Sequence, residues 1–142
     1  MNKTFVMIKP DAVRRQLVGK ILSRFEETQD ITIKAMKMMI LPKDLAAKHY
    51  AEHEGKEFYE NLIKFVTSGP VVPMLLEGEG IIQKIRDMIG ATDPAKADPG
   101  TIRGDFKEIP VKTVTENMIH ASDSVDSAKR EITLFFGADY LK

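Results

Sequence analysis

The run Thr4-Phe5-Val6-Met7-Ile8, stopped by Lys9 and Pro10, constrains the fold most. Apolar, β-favouring residues in succession read as a buried strand from Lys3 to Lys9, and the proline ends it. Leu17, Ile21, Leu22 and Phe25 then recur at helical spacing through about Gln29. Ile31, Ile33 and Ala35 alternate with Thr32 and Lys34 as a second strand continuing to about Leu41. The chain therefore opens as βαβ.

Pro42 and Asp44 begin a helix with Leu45 and His49 on one face, and a second helix carries Phe58, Leu62 and Phe65 before Gly69. Together they form a helical hairpin insert. Pro70 to Glu77 reads as a third strand in which Pro73 removes a ladder donor, a mark of an edge, a bulge or a strand start. Ile81, Ile85, Met88 and Ile89 mark a short helix closed by Gly90. Ala91 to Pro110, with four prolines and glycines among its turn residues besides Pro110 itself, reads as a long functional loop. A last strand runs to His120, and a last helix from about Ser124 turns Val125, Ala128, Ile132 and Phe135 inward, with Glu131 beside that stripe. With insert and loop set aside, the order is βαββαβ: an α+β, ferredoxin-like antiparallel sheet with helices on one face. A single domain over residues 1–142 is expected, long enough to bury roughly 70% of its unfolded surface.

Acidic and basic side chains balance at 21 each, without a basic run, so nucleic acid is not expected as the main partner. No apolar stretch suits a signal peptide or a membrane span. The absence of cysteine excludes disulfides, thiolate catalysis and cysteine-ligated metals. A reducing cytoplasm fits, and a cytoplasmic location is expected.

The chemistry concentrates in Asn117-Met118-Ile119-His120-Ala121-Ser122-Asp123-Ser124. One histidine lies between a strand-like run and a hydroxyl-rich helix start. A neutral imidazole can attack through one ring nitrogen while the other donates to an acceptor, a part that Glu131 buttressed by Ser122 would suit. The same segment also fits a strand-end histidine whose serines only cap. No phosphate loop of the G-x-x-x-x-G-K-[ST] kind occurs, so phosphate binding would fall to side chains. Lys9, Arg86 and Arg103 are the cations a fold could gather, although a turn lysine, a surface helix arginine and an Arg103 to Asp105 ion pair compete with that reading. The triplet Arg103-Gly104-Asp105 in a chain without a secretory signal is a chance match to an adhesion motif. His49 and His53 read as a surface helix pair without a third metal ligand. Phe58 fits a core position beside Leu62 and Phe65, and Tyr50 fits core or site.

Ile8-Lys9-Pro10-Asp11-Ala12-Val13, His49-Tyr50, Ser68 to Val72, Gly90 to Pro94, Pro99 to Phe106 and Asn117 to Ser124 occur in an order that resembles nucleoside diphosphate kinase across almost the whole chain. The resemblance implies phosphoryl transfer between nucleoside tri- and diphosphates, by a ping-pong route through a phosphohistidine at His120 with little base specificity. It implies that Lys9 lies near the transferred phosphate and ribose hydroxyl, and that Arg86, Thr92 and Arg103 contact phosphates. Asn117 would contact the ribose, Phe58 stack on the base, Tyr50 stand in the active site, and Ser122 with Glu131 orient the histidine. It further implies Mg²⁺ carried mainly by the nucleotide phosphates, and a homo-oligomer, tetramer or hexamer. Two departures stand out. Ala121 replaces a frequent glycine, which matters only if that backbone needs a positive φ, and Lys107 to Glu116 is longer than usual. A non-catalytic nucleotide-binding module is the rival reading, and a ferredoxin-like RNA-binding module lacks the basic, aromatic strand surface it needs. A decayed relative would be expected to lose one of Lys9, Tyr50, Arg86, Arg103, Asn117, His120 or Glu131, and all are present.

Overall fold

The computed structural model describes residues 2–142. Strands β1 (Lys3–Ile8), β2 (Thr32–Met36), β4 (Pro70–Glu77) and β5 (Ile119–Ala121) form an antiparallel sheet in the order β2-β4-β1-β5, and the two-residue β3 (Met39–Ile40) also pairs with β4. With the insert set aside, this is the ferredoxin-like order.

Among the described residues there are seven α-helices: α1 (Pro10–Arg14), α2 (Val18–Glu27), α3 (Lys43–His49), α4 (Tyr59–Val66), α5 (Ile81–Ile89), α6 (Ile102–Phe106) and α7 (Val125–Phe136). Successive strand side chains face opposite ways, so the apolar run of β1 supplies two cores. Val6 and Ile8 pack with Ile21 and Phe25 of α2 and with Ile81, Ile85 and Ile89 of α5. Phe5 and Met7 pack with Ala46 of α3, Leu62 and Val66 of α4, and Ile132 and Phe135 of α7. The expected one-sided cover therefore holds for α2 and α5 only, because the hairpin insert and the last helix close the other face. Each fully buried aliphatic or aromatic side chain contributes about 1.5–3 kcal/mol.

Three local expectations are corrected. Pro10 starts α1 rather than a turn, since its fixed φ and missing N–H suit a first helical position. Pro73 lies in a central strand, opposite Met7 of β1. Its carbonyl accepts from Lys37 N at 3.1 Å, so its donorless nitrogen faces the same side, where the chain leaves the sheet between β2 and β3. The single second strand read from the sequence is thereby split in two. The long loop contains a 3₁₀ turn at Pro94–Lys96 and the short α6, capped by Thr101 Oγ1, which accepts from Gly104 N at 3.0 Å. A Cβ on Gly104 would overlap the Asp98 carbonyl, so the glycine of the Arg-Gly-Asp triplet answers a packing need.

Candidate active site

The alternation along β5 sends Ile119 and Ala121 into the first core and leaves His120 on the opposite face, near Phe5 and His49. His120 lines a cavity of about 580 Å³, together with Lys9, Tyr50, Phe58, Arg86, Thr92, Arg103, Asn117 and Glu131. Every residue singled out from the sequence is thus brought together, with Ser122 beneath the wall and bonded to Glu131.

His120 Nε2 lies 2.9 Å from Glu131 Oε1, and the same oxygen accepts from Ser122 Oγ at 2.6 Å. A carboxylate facing Nε2 holds the ring proton there, which leaves the lone pair on Nδ1. Glu131 is buried on the inward side of α7, whose first turn is capped by Ser124 Oγ accepting from Ser127 N at 3.1 Å. The acceptor is therefore carried by a rigid element rather than by a loop.

The turn into β5 is braced from several sides. Met118 adopts φ 73°, a left-handed conformation that a methionine holds only under constraint. Asp11 Oδ2 accepts from Met118 N at 3.1 Å, and Lys9 N donates to Met118 O at 2.9 Å. Arg103 donates to Asn117 O at 3.1 Å, to Gly90 O at 3.1 Å and to Ile119 O at 2.5 Å. Ala121 sits within β5 and is not among the left-handed residues, so the glycine departure has no backbone consequence. Asp105 pairs with Arg24 at 2.8 Å, which removes it as the partner of Arg103.

Burial, then the neighbouring Arg103, pushes the Lys9 ammonium down to about 7, partly offset by Asp11. Lys9 Nζ donates to Asn117 Oδ1 at 2.9 Å, and Asn117 Nδ2 donates to Thr92 O at 3.1 Å. Burial, then Arg86, lowers the Arg103 guanidinium to about 10, which keeps it cationic at neutral pH. Arg86 Nη1 donates to Ala121 O at 3.3 Å. Burial, then Glu131, raises the Tyr50 phenol, so its hydroxyl stays protonated. That hydroxyl has no hydrogen-bond partner among the described residues, as expected of a group awaiting a ligand.

Two aromatic expectations change. Phe58 is 42% exposed at the cavity rather than in the core, because it precedes α4 instead of lying on its inner face. His49 is 1% exposed, at the end of α3, and its ring meets that of His120 in a T-shaped arrangement at 4.6 Å between centroids. The surface-pair reading fails because α3 stops at His49 and His53 lies in the following 3₁₀ turn. Burial, then His120 and Arg130, holds His49 well below the ordinary imidazole range, so it is neutral. Val114 and Thr115, to which the sequence assigns no role, line the cavity as well, as do His53 and Asp123. For His49 the available signal was its place on the inner face with Leu45; for Val114 no sequence pattern marked it.

A model of the nucleoside diphosphate kinase family matches residues 2–141. The chain belongs to that family. The nucleoside diphosphate kinase of Methanocaldococcus jannaschii is 56% identical over 97% of this chain and 95% of that relative. The nucleoside diphosphate kinase of Thermus thermophilus is 53% identical over 99% of each. Among solved structures, a halophilic nucleoside diphosphate kinase from Halobacterium salinarum in complex with CDP superposes with a TM-score of 0.90 at 44% identity, over 98% of this chain and 90% of that one. The apo enzyme from Encephalitozoon cuniculi gives the same TM-score at 37% identity, over 98% and 91%. Nucleoside diphosphate kinases are phosphotransferases that exchange the terminal phosphoryl group between nucleotides in two half-reactions. Among the described residues, no helix is long and apolar enough to cross a membrane.

Proposed function

We propose that His120 is the phosphoryl carrier of this nucleoside diphosphate kinase and that the described chain acts as one catalytic unit. The observation that carries the reading is the Ser122, Glu131 and His120 relay set in a cavity that also holds Lys9, Arg86 and Arg103. In the first half-reaction the Nδ1 lone pair attacks the γ-phosphorus, the bond from phosphorus to the bridging oxygen breaks, and its electron pair leaves with the diphosphate. The ring gains positive charge, which the Nε2–H bond to Glu131 stabilises, and the second nucleotide reverses the sequence. Lys9, Arg86 and Arg103 would neutralise the phosphates, with Thr92 as a further contact. Asn117 would face the ribose, and Tyr50 would place its partnerless hydroxyl beside the transferred group.

Phe58 and Val114 are both apolar and about half exposed at the cavity, which supports base binding by face contact and hence weak discrimination among bases. Asp123, an exposed carboxylate on the same wall, is the hard oxygen donor that fits Mg²⁺. With the nucleotide, Mg²⁺ held there would supply charge neutralisation to the phosphates. We read the enzyme as a cytoplasmic homo-oligomer, a tetramer or a hexamer, acting on nucleoside di- and triphosphates.

The test is incubation with γ-labelled ATP. An acid-labile, alkali-stable phosphoprotein that discharges onto added nucleoside diphosphate is expected, and His120→Ala should abolish it. Label retained by that variant would move the carrier elsewhere, and an unlabelled wild type would favour a binding module without transfer.

A further inference from the structure

We propose that His49, Glu131 and the inner nitrogen of His120 form a binding site for a zinc-class cation, and that its occupation switches the kinase off by holding His120 in the unreactive tautomer. One ligand atom from each of the three residues lies within 4.8 Å of the others. Two imidazoles and one carboxylate are the donor set that zinc and its neighbours favour, and a fourth position would remain for water. Both ring nitrogens of His49 are buried without a hydrogen-bond partner. A buried imidazole left entirely unsatisfied calls for an explanation, and a ligand that needs an unprotonated nitrogen provides one.

The inner geometry is close to what a metal requires. His49 Nδ1 stands 4.0 Å from Glu131 Oε2, and His120 Nε2 stands 2.9 Å from Glu131 Oε1. Tetrahedral zinc with bonds of about 2.0–2.1 Å needs ligand atoms about 3.3 Å apart, so rotations that move side-chain atoms by about an ångström or less suffice. Ser122 Oγ can keep its bond to Oε1, because Oε2 is the oxygen nearer His49. The cavity gives access, since His120 and Glu131 both line it. The competing cation is the half-exposed Arg130, whose Nη2 lies 3.4 Å from Oε2 and also donates to the His49 carbonyl at 3.4 Å. That long contact is one a divalent ion can displace.

Inhibition follows from proton bookkeeping at one ring. In the free enzyme Nε2 carries the proton and Nδ1 carries the lone pair. A metal displaces the proton from Nε2 and binds the electron pair this frees there, and that proton passes through solvent to the Nδ1 lone pair. Nδ1 then has nothing to donate to phosphorus. The cation binds without oxidation or net proton release, and its removal restores the reactive tautomer. This switch rests on His120 being the carrier, whereas the binding does not.

The experiment uses the full chain and the metal alone. Titration with Co²⁺ in nucleotide-free buffer should give one equivalent per chain with the intense visible absorption of a four-coordinate site, and Zn²⁺ should displace it. His49→Gln and Glu131→Gln should each weaken this binding at least tenfold, whereas His53→Gln should leave it unchanged. Arg130→Gln should tighten it. Zinc-loaded enzyme given γ-labelled ATP and excess Mg²⁺ should form phosphoprotein at least tenfold more slowly, with recovery on adding a zinc-selective chelator. Weak octahedral cobalt spectra, or binding indifferent to His49 and Glu131, would overturn the site. Tight binding with undiminished labelling would overturn the switch. If the His49 variant does not fold, the wild-type cobalt spectrum and the Arg130 variant still decide the matter.

Discussion

Lys9 gives the most quantitative prediction. Its ammonium is held at about 7 by burial, then by Arg103, with Asp11 acting the other way. At pH 7.5 only about a quarter of free enzyme molecules carry the proton. Nucleotide phosphates entering the cavity bring negative charge beside Nζ and restore the charged form, so binding takes up about three-quarters of a proton per site at pH 7.5. At pH 6 the uptake from Lys9 falls to about a tenth, and at pH 8.5 it approaches one. Affinity should accordingly weaken about eightfold between pH 7.5 and 8.5, as neutral Lys9 becomes the dominant free form. The assay is calorimetric titration with Mg·ADP in buffers of different ionisation enthalpy, whose slope counts protons. Lys9→Arg, which stays charged throughout, should flatten both the proton count and the pH dependence of affinity. Uptake that ignores pH between 6 and 8.5, or that survives in the arginine variant, would refute the assignment. The sign for stability follows from the same shift. The folded value lies below the ordinary 10.5, so the penalty of burying the charge is fully present below about pH 7 and fades as pH rises toward 10.5.

Four further outcomes are expected. Glu131→Gln removes a charged acceptor from His120 Nε2, a bond worth about 1.5–3 kcal/mol, so phosphoenzyme formation should slow by about 10- to 150-fold in single-turnover labelling. Phe58→Ala should raise KM by the loss of about 1–3 kcal/mol of stacking, to the same extent for adenine, guanine and cytosine nucleotides in steady-state assays. Asp11→Asn deletes the group that raises Lys9, so the pH profile of Mg·ADP binding should move to lower pH. Phe25→Ala empties a fully buried site in the first core and should cost about 3–5 kcal/mol in denaturant unfolding, with no change in slope.

The elements with strong periodicity were legible in the sequence. β1, β4, α2, α5 and α7 fall where the apolar spacing put them, because burial on one or both faces leaves a direct trace in residue order. Pro10 ends the first strand as the sequence indicates and also starts α1, a second use that the residue order alone does not reveal because proline suits both positions. Pro73 marks an edge, a bulge or a strand start by the sequence alone, yet its missing donor is accommodated at an interior position because the neighbouring strand breaks opposite it. The candidate site residues stand out in the sequence through the family resemblance rather than through physics. A buried lysine, a stapling arginine and a half-exposed phenylalanine look ordinary in isolation. His49 was misjudged because helical spacing alone does not reveal where α3 ends, and Val114 because an irregular segment carries no period.

Arg103 is bonded to three backbone carbonyls around the turn that delivers His120. One guanidinium therefore serves both as scaffold and as a positive charge in the cavity, and its orientation is settled during folding rather than on substrate arrival. A lysine there could keep the charge but not the planar fork, so Arg103→Lys would loosen the frame and dim the field together. Any change at that position alters the charge of the cavity and the way the last strand is hung at the same time.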